Sequence, residues 1–276
     1  MSNNAAKIKA LRKAVYGYFR AHGRSLPWRR MPCDPYHILV SEVMLQQTQV
    51  DRVAVKFREF IGEFPTITSL AQAPLHAVLA AWQGMGYNRR AKSLQQAAQA
   101  IVRDHGGKVP RTIDELDALP GLGAATASSI SAFAFNQPAV FIETNIRSVF
   151  IHHFFKGRDK VTDAMLLPLV EQALDRKHPF LWYSALMDYG VHLKKAFGNP
   201  SRKSAHHTAQ SRFDGSDRQL RGRIIKFLVR EKKAGYAALA KELSVDQQRL
   251  RRILDGLVKD GLIECPKHSF QIRDGS

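Results

Sequence analysis

Residues 111–150 read RTIDELDALPGLGAATASSISAFAFNQPAVFIETNIRSVF. Ile113, Leu116 and Leu119 recur at helical spacing, and Pro120-Gly121-Leu122-Gly123 then interrupts the pattern. A second run starts at Ala124, rich in Ala and Ser, with Ile130, Phe133 and Phe135 inside it. The stretch therefore predicts a helix, a tight turn and a second helix. Gly121 and Gly123 permit backbone conformations and close approaches that a side chain would block. The turn would present bare amide N–H groups at a helix start. Such a place suits an anion, and a nucleic-acid phosphate above all. On the turn alone, an ordinary helical hairpin closed by glycine is the plain alternative.

Working outward, the charge agrees with a polyanion partner. The 276 residues hold 42 Lys and Arg against 24 Asp and Glu, a formal net charge of +18, with a hydrophobic fraction of 45%. That combination suggests a folded polyanion binder, the bland alternative being a merely basic soluble protein. Residues 201–276 alone carry 17 basic and 9 acidic side chains. No apolar run is long enough to span a membrane, and the start lacks the apolar block of a signal peptide. Cys33 and Cys265 are the only cysteines, too few for a disulfide framework or a zinc knuckle. The pairs His152-His153 and His206-His207 lack further ligands at useful spacing, so no metal is expected.

Apolar periodicity predicts helices over 5–19, 37–45, 50–60, 67–82 and 89–104, and after the hairpin over 146–155, 163–176 and 179–195. Asp34-Pro35 marks the start of the second by a cap and a first-position proline. Strand signals are weak, so residues 1–198 read as an all-α domain. Residues 199–217 are polar and read as a linker. Three helices follow over 218–230, 236–243 and 245–260, the last with a capping box from Ser244 and Gln247. Segments 262–264 and 270–273 pair as a small ribbon. Residues 218–276 thus form a winged-helix-like domain whose third helix, with Arg249 and Arg252, would enter a major groove. A packing module that never touches bases is the competing reading.

The string LPGLGAATA, followed by Glu143-Thr144-Asn145, resembles the helix-hairpin-helix (HhH-GPD) DNA glycosylases. Ser41-Glu42-Val43-Met44-Leu45-Gln46-Gln47-Thr48-Gln49-Val50 and Gly84-Met85-Gly86-Tyr87 resemble the MutY-type adenine branch of that superfamily. The resemblance runs from about Leu26 to Gly190. It implies two helical lobes with the active site between them. It also implies that Glu42 protonates adenine at N7, with a proton affinity raised by its apolar neighbours Val43, Met44 and Leu45. Glu143 stands where the family usually has Asp, which stabilises the sugar cation at C1′; its extra methylene could make the carboxylate overshoot. A helix-start carboxylate is the other reading of Glu143. Asn145 matches a position that hydrogen-bonds near that carboxylate. A duplex base must be flipped out to be cut, and Gln46 and Tyr87 match positions that fill the gap, with Gln47 and Thr48 beside the estranged base. Tyr87 could equally be core. Arg89, Arg90 and Lys92 read as phosphate contacts or as a solvated face. Gly121, Leu122 and Gly123 would meet a phosphate through the hairpin.

Bifunctional relatives place a Schiff-base lysine where this chain has Ala125, so the resemblance implies a monofunctional enzyme that leaves an abasic site. Many relatives also hold an iron–sulfur cluster on four cysteines. Here Met187-Asp188-Tyr189-Gly190 matches the family, yet the first ligand position is Lys194, so no cluster is expected. The leading function is excision of adenine opposite guanine or 8-oxoguanine from double-stranded DNA, by a monomer in the cytoplasm and nucleoid. A glycosylase for mispaired thymine or uracil, and a non-catalytic structure-specific DNA binder, are the alternatives.

Overall fold

The computed structural model describes residues 2–208 and 212–274. In chain order the helices are α1 (Ser2–His22), α2 (Pro35–Leu45), α3 (Val50–Glu63), α4 (Ile67–Gln72), α5 (Leu75–Ala81), α6 (Arg89–His105), α7 (Ile113–Asp117), α8 (Ala124–Phe135), α9 (Thr144–Phe154), α10 (Asp163–Ala173), α11 (Pro179–Phe197), α12 (Asp217–Glu231), α13 (Tyr236–Leu243) and α14 (Gln247–Lys259). Three short strands join them: β1 (Lys233–Gly235), β2 (Ile263–Glu264) and β3 (Ser269–Ile272). The chain groups into two compact units. One gathers the described residues of 1–39, 111–118 and 122–209, the other those of 40–110, 119–121 and 210–276.

The first unit is built around α11, which packs on α1, α8 and α9. Its apolar residues Trp182, Tyr183 and Leu186 are fully buried, and Leu11 and Val15 of α1 meet the same core. The Tyr183 hydroxyl, buried, donates to the Ala139 carbonyl at 2.7 Å. Arg12 donates to the Ala173 and Leu174 carbonyls at 3.0 and 2.6 Å, satisfying acceptors that the end of α10 leaves open.

Asp188 of α11 is a buried charge, 2% exposed. It accepts from the Arg24 amide and Nε at 2.8 Å and pairs with Arg29 Nη1 at 3.0 Å. Removing one partner of such a set leaves buried charge uncompensated. Asp188→Ala is therefore expected to cost about 3–5 kcal/mol. A urea or thermal unfolding curve checks this, and a loss below about 1 kcal/mol would show a mere surface pair.

In the second unit α6 packs against α4 and α5. The single helix expected over 67–82 is two, because Pro74 cannot continue a helix and holds Ala73 extended at φ −65°, ψ 145°. Thr66 and Ser69 form a reciprocal capping box on α4, as Thr112 and Glu115 do on α7 in the first unit.

The C-terminal residues make a winged-helix arrangement, α12-β1-α13-α14-β2-β3, with sheet order β1-β3-β2. Ala234 pairs with Phe270 and Ile263 with Ile272. β1 went unread in the sequence, its three residues being too short for an alternation signal. Leu250, Ile253, Leu254 and Leu257 line the buried face of α14, as their spacing predicts. The capping box at α14 is corrected. Asp246 caps it by accepting from the Gln248 and Arg249 amides, while Ser244 closes α13 in a left-handed conformation, φ 48°.

This module does not hang on a free tether. α12 packs on α5, and Lys92 donates to the Asp260 carbonyl at 2.8 Å. His76 Nδ1 meets Asp274 Oδ2 at 2.5 Å. Of the expected linker, 199–208 is partly ordered by a 3-10 turn over Pro200–Lys203 and a parallel bridge from Val161 to Ser204. Residues 209–211 lie outside the described residues.

Candidate active site

Glu42 sits half-buried on α2 between buried Ser41 and Val43. The helix stops at Leu45, and Gln47 turns left-handed at φ 56°. A second left-handed residue, Tyr87 at φ 49°, follows Gly84 and Gly86, which are also at positive φ. Non-glycine residues held there cost roughly 1 kcal/mol each, so something must hold them. That something is Arg90. Its Nη1 donates to the carbonyls of Val43, Met44 and Gln46 at 2.9, 2.9 and 2.5 Å. Its Nη2 donates to Thr48 Oγ1 at 3.0 Å and to the Met85 and Gly86 carbonyls at 3.2 Å. The guanidinium is buried against the Trp82 and Tyr87 rings, and burial pushes its pKa down to about 10. Arg90 is thus corrected from a phosphate contact to the pin joining the Gln46–Thr48 and Met85–Tyr87 loops. Arg89, by contrast, is exposed and lies 3.7 Å from Asp260.

These loops and α12 enclose a groove of about 850 Å³. Arg52, Lys56, Arg218, Arg223 and Lys226 line it, with no carboxylate among its lining residues. Arg218, which sequence reading missed, lies 5.3 Å from the ring centroids of both Tyr87 and Phe213, and its Nη1 donates to the Tyr87 hydroxyl at 2.6 Å. Only a surplus of cations on α12 hinted at it, since 131 residues separate the pair. Arg249 and Arg252 of α14 both pair with Asp217, at 2.8 and 2.7 Å, so much of their charge is answered within the module.

In the hairpin, Gly121 is left-handed at φ 77°, and a Cβ there would collide with Ser93. Gly123 is extended, φ −128°, and caps α8 with open space around it. Leu122 is buried and anchors the turn, so only its backbone is available to a phosphate. Ala125 is exposed at the start of α8.

Glu143 is the N-cap of α9. Its Oε1 accepts from the Asn145 and Ile146 amides at 2.6 and 2.7 Å, and its Oε2 accepts from Asn145 Nδ2 at 3.1 Å. The extra methylene does not push the carboxylate outward; it curls back over its own helix. Burial pushes the Glu143 carboxyl above the usual range, against the helix amides, Lys194 and Arg147, which pull it down. The helix-start reading of Glu143 describes its geometry, a half-buried carboxylate that caps α9. Gly190 of α11 makes the approach possible, since a Cβ there would stand 2.7 Å from Asn145 Cβ and O.

The HhH-GPD superfamily base excision DNA repair protein family matches residues 40–171. An adenine DNA glycosylase of Mycolicibacterium smegmatis is 33% identical over 264 residues, covering 87% of this chain and 88% of that protein. This chain belongs to the HhH-GPD superfamily, among the adenine DNA glycosylases. The human adenine DNA glycosylase is 34% identical over 68% of this chain and 36% of its own length. Among solved structures, a thermostable thymine-DNA glycosylase aligns with TM-score 0.63 at 23% identity, over 72% of this chain and 93% of that one. An endonuclease III–DNA complex aligns with TM-score 0.57 at 18% identity, over 69% and 88%. At these identities the structures speak for the fold, and the HhH-GPD fold is what they share.

The sequence holds two cysteines, Cys33 and Cys265. Lys194 donates to Asn145 Oδ1 at 2.8 Å. Cys33 is half-buried against Met31 and Cys265 is exposed. Among the described residues no group of three His, Cys, Asp or Glu side chains gathers to hold a metal. His153 hydrogen-bonds the Tyr189 hydroxyl at 3.0 Å, and burial pushes its pKa down to about 4. Phe197 is 65% exposed and contributes little core. The segment after α11 is instead tied by backbone bonds, Val161 N to Lys203 O at 3.0 Å and Ala205 N to Val161 O at 2.9 Å.

Proposed function

We propose that this protein is a monofunctional DNA glycosylase that removes adenine mispaired with guanine or 8-oxoguanine in duplex DNA. The observation that carries the chemistry is the Glu143–Asn145 pair at the start of α9, a half-buried carboxylate held by two backbone amides and one side-chain amide. The preference for adenine rests on the 33% identity across almost nine-tenths of both chains.

In this reading Glu42 donates a proton to adenine N7 and the C1′–N9 bond breaks, its electron pair leaving with the base. The sugar becomes an oxocarbenium ion, which the Glu143 carboxylate stabilises. Water then forms the new bond to C1′ and passes a proton to Glu143. With Ala125 at the hairpin position, that position supplies no amine for a Schiff base, and the product keeps an unbroken strand in this reading. Duplexes carrying single mismatches, read with and without hot alkali, test substrate and mode together. Thymine or uracil release in place of adenine would establish the alternative specificity.

We also infer that the chain works without an iron–sulfur cluster, the supporting fact being the two cysteines already described. Iron analysis of purified protein should find none at cluster stoichiometry; four irons per chain would overturn this.

The groove walled by α12 is the part of the second unit that we assign to the DNA backbone. Each phosphate neutralised contributes about 0.9 to the slope of log K against log salt. Arg223→Ala with Lys226→Ala should weaken duplex binding and flatten that slope by about 1–2. Arg249→Ala should leave the slope unchanged and act on stability instead. The reverse pattern would return the recognition role to α14.

A further inference from the structure

We propose that Lys194 is a positioning residue for base excision, holding Asn145 by its amide oxygen and setting a positive charge beside Glu143. The proposal rests on the assignment of Glu143 to the sugar cation. It begins from hydrogen-bond polarity. An ammonium only donates, so its partner on Asn145 must be Oδ1, 2.8 Å away. The Asn145 amino group is then left to face Glu143, whose Oε2 accepts it at 3.1 Å. An ionised carboxylate only accepts, so the chain Lys194–Asn145–Glu143 has one consistent direction. Replace the ammonium by a neutral group and the amide loses the contact that orients it.

The register of α11 is built for this contact. Met187, Gly190 and Lys194 are spaced three and four apart, on one face of the helix. Met187 Sδ lies 3.7 Å from Asn145 Nδ2, Gly190 admits the Asn145 backbone, and Lys194 reaches its amide oxygen. Three side-chain positions of one helix therefore converge on a single asparagine. The Lys194 ammonium is thereby tied to the start of α9.

The charge balance gives Lys194 a second task. The cations acting on Glu143 are Lys194 from α11 and Arg147 from α9. Arg147 is committed to Asp163 of α10 through two bonds, 2.9 and 2.7 Å. Arg202 and Lys203 of the 3-10 turn packed on α9 are exposed, and His206 acts on Asp163. Lys194, by contrast, gives its hydrogen bond to the neutral Asn145 Oδ1, at 2.8 Å. Burial pushes Lys194 down and Glu143 up, and each draws the other back toward its charged form.

The test is single-turnover adenine excision across pH by the full chain, alongside its Lys194→Met, Lys194→Gln and Lys194→Arg variants. Duplex affinity and melting temperature are measured on each. With the neutral variants the acid limb of the rate profile should move up by about one pH unit, since an opposite charge nearby has been removed. Their rate at neutral pH should fall on the order of tenfold while duplex affinity holds. Lys194→Arg should keep the acid limb at the wild-type position. A folded neutral variant with an unmoved acid limb would overturn the proposal, even if it is slower, because a purely structural role predicts that result. If the unmodified chain releases no adenine, the underlying reading of the site fails instead.

Discussion

Glu42→Gln is expected to bind a mismatched duplex as the unmodified protein does and to release base on the order of 10²–10⁴ times more slowly. The glutamine is nearly isosteric, so α2 keeps its buried neighbours Ser41, Val43 and Met44. What disappears is a proton that can be given to the departing purine. Affinity survives because duplex binding draws mainly on phosphate contacts, and this substitution removes no cation. Single-turnover excision and a binding titration on the same preparation separate the two effects. Parallel loss of affinity and rate would mean that the substitution had disturbed the Gln46–Thr48 loop instead of the acid.

Glu143→Gln should be the other severe lesion. The glutamine carbonyl can still accept from the Asn145 and Ile146 amides, so α9 stays capped and stability falls by no more than about 1 kcal/mol. The negative charge is gone, and losing one preorganised electrostatic group of this kind costs about 10²–10³ in rate. Glu143→Asp keeps the charge and a good capping side chain, and should be the more active variant. The pH dependence follows from the raised Glu143 pKa. Ionised Glu143 is the active form, so the rate falls as pH drops through a pKa above the usual carboxylate range. A Gln variant near wild-type rate, or an acid limb in the ordinary carboxylate range, would remove Glu143 from the mechanism.

The helices of the first unit were legible because their apolar spacing is regular and their ends carry ordinary signals, such as Pro179 at the first turn of α11. The hairpin was legible for the same reason, down to the left-handed Gly121. Gly123 was read for a conformational freedom it does not use. Arg90 shows what a linear reading cannot reach. Its acceptors lie up to 47 residues away, on carbonyls that become available only because α2 ends where it does. A cation at a helix start looks like a phosphate contact until those carbonyls are in place. Arg218 and Tyr87 are a more distant case of the same kind. The bond from Lys194 to Asn145 was not legible, because it depends on the close approach that Gly190 allows.

The most direct measurement of the account is product analysis on a panel of duplexes, each with one mismatch, incubated with the unmodified chain. The expected products are free adenine from duplexes with guanine or 8-oxoguanine opposite and an intact abasic strand that breaks only after hot alkali, with no protein–DNA adduct on borohydride reduction. Release of a different base, or adduct formation and strand breakage without alkali, would contradict it.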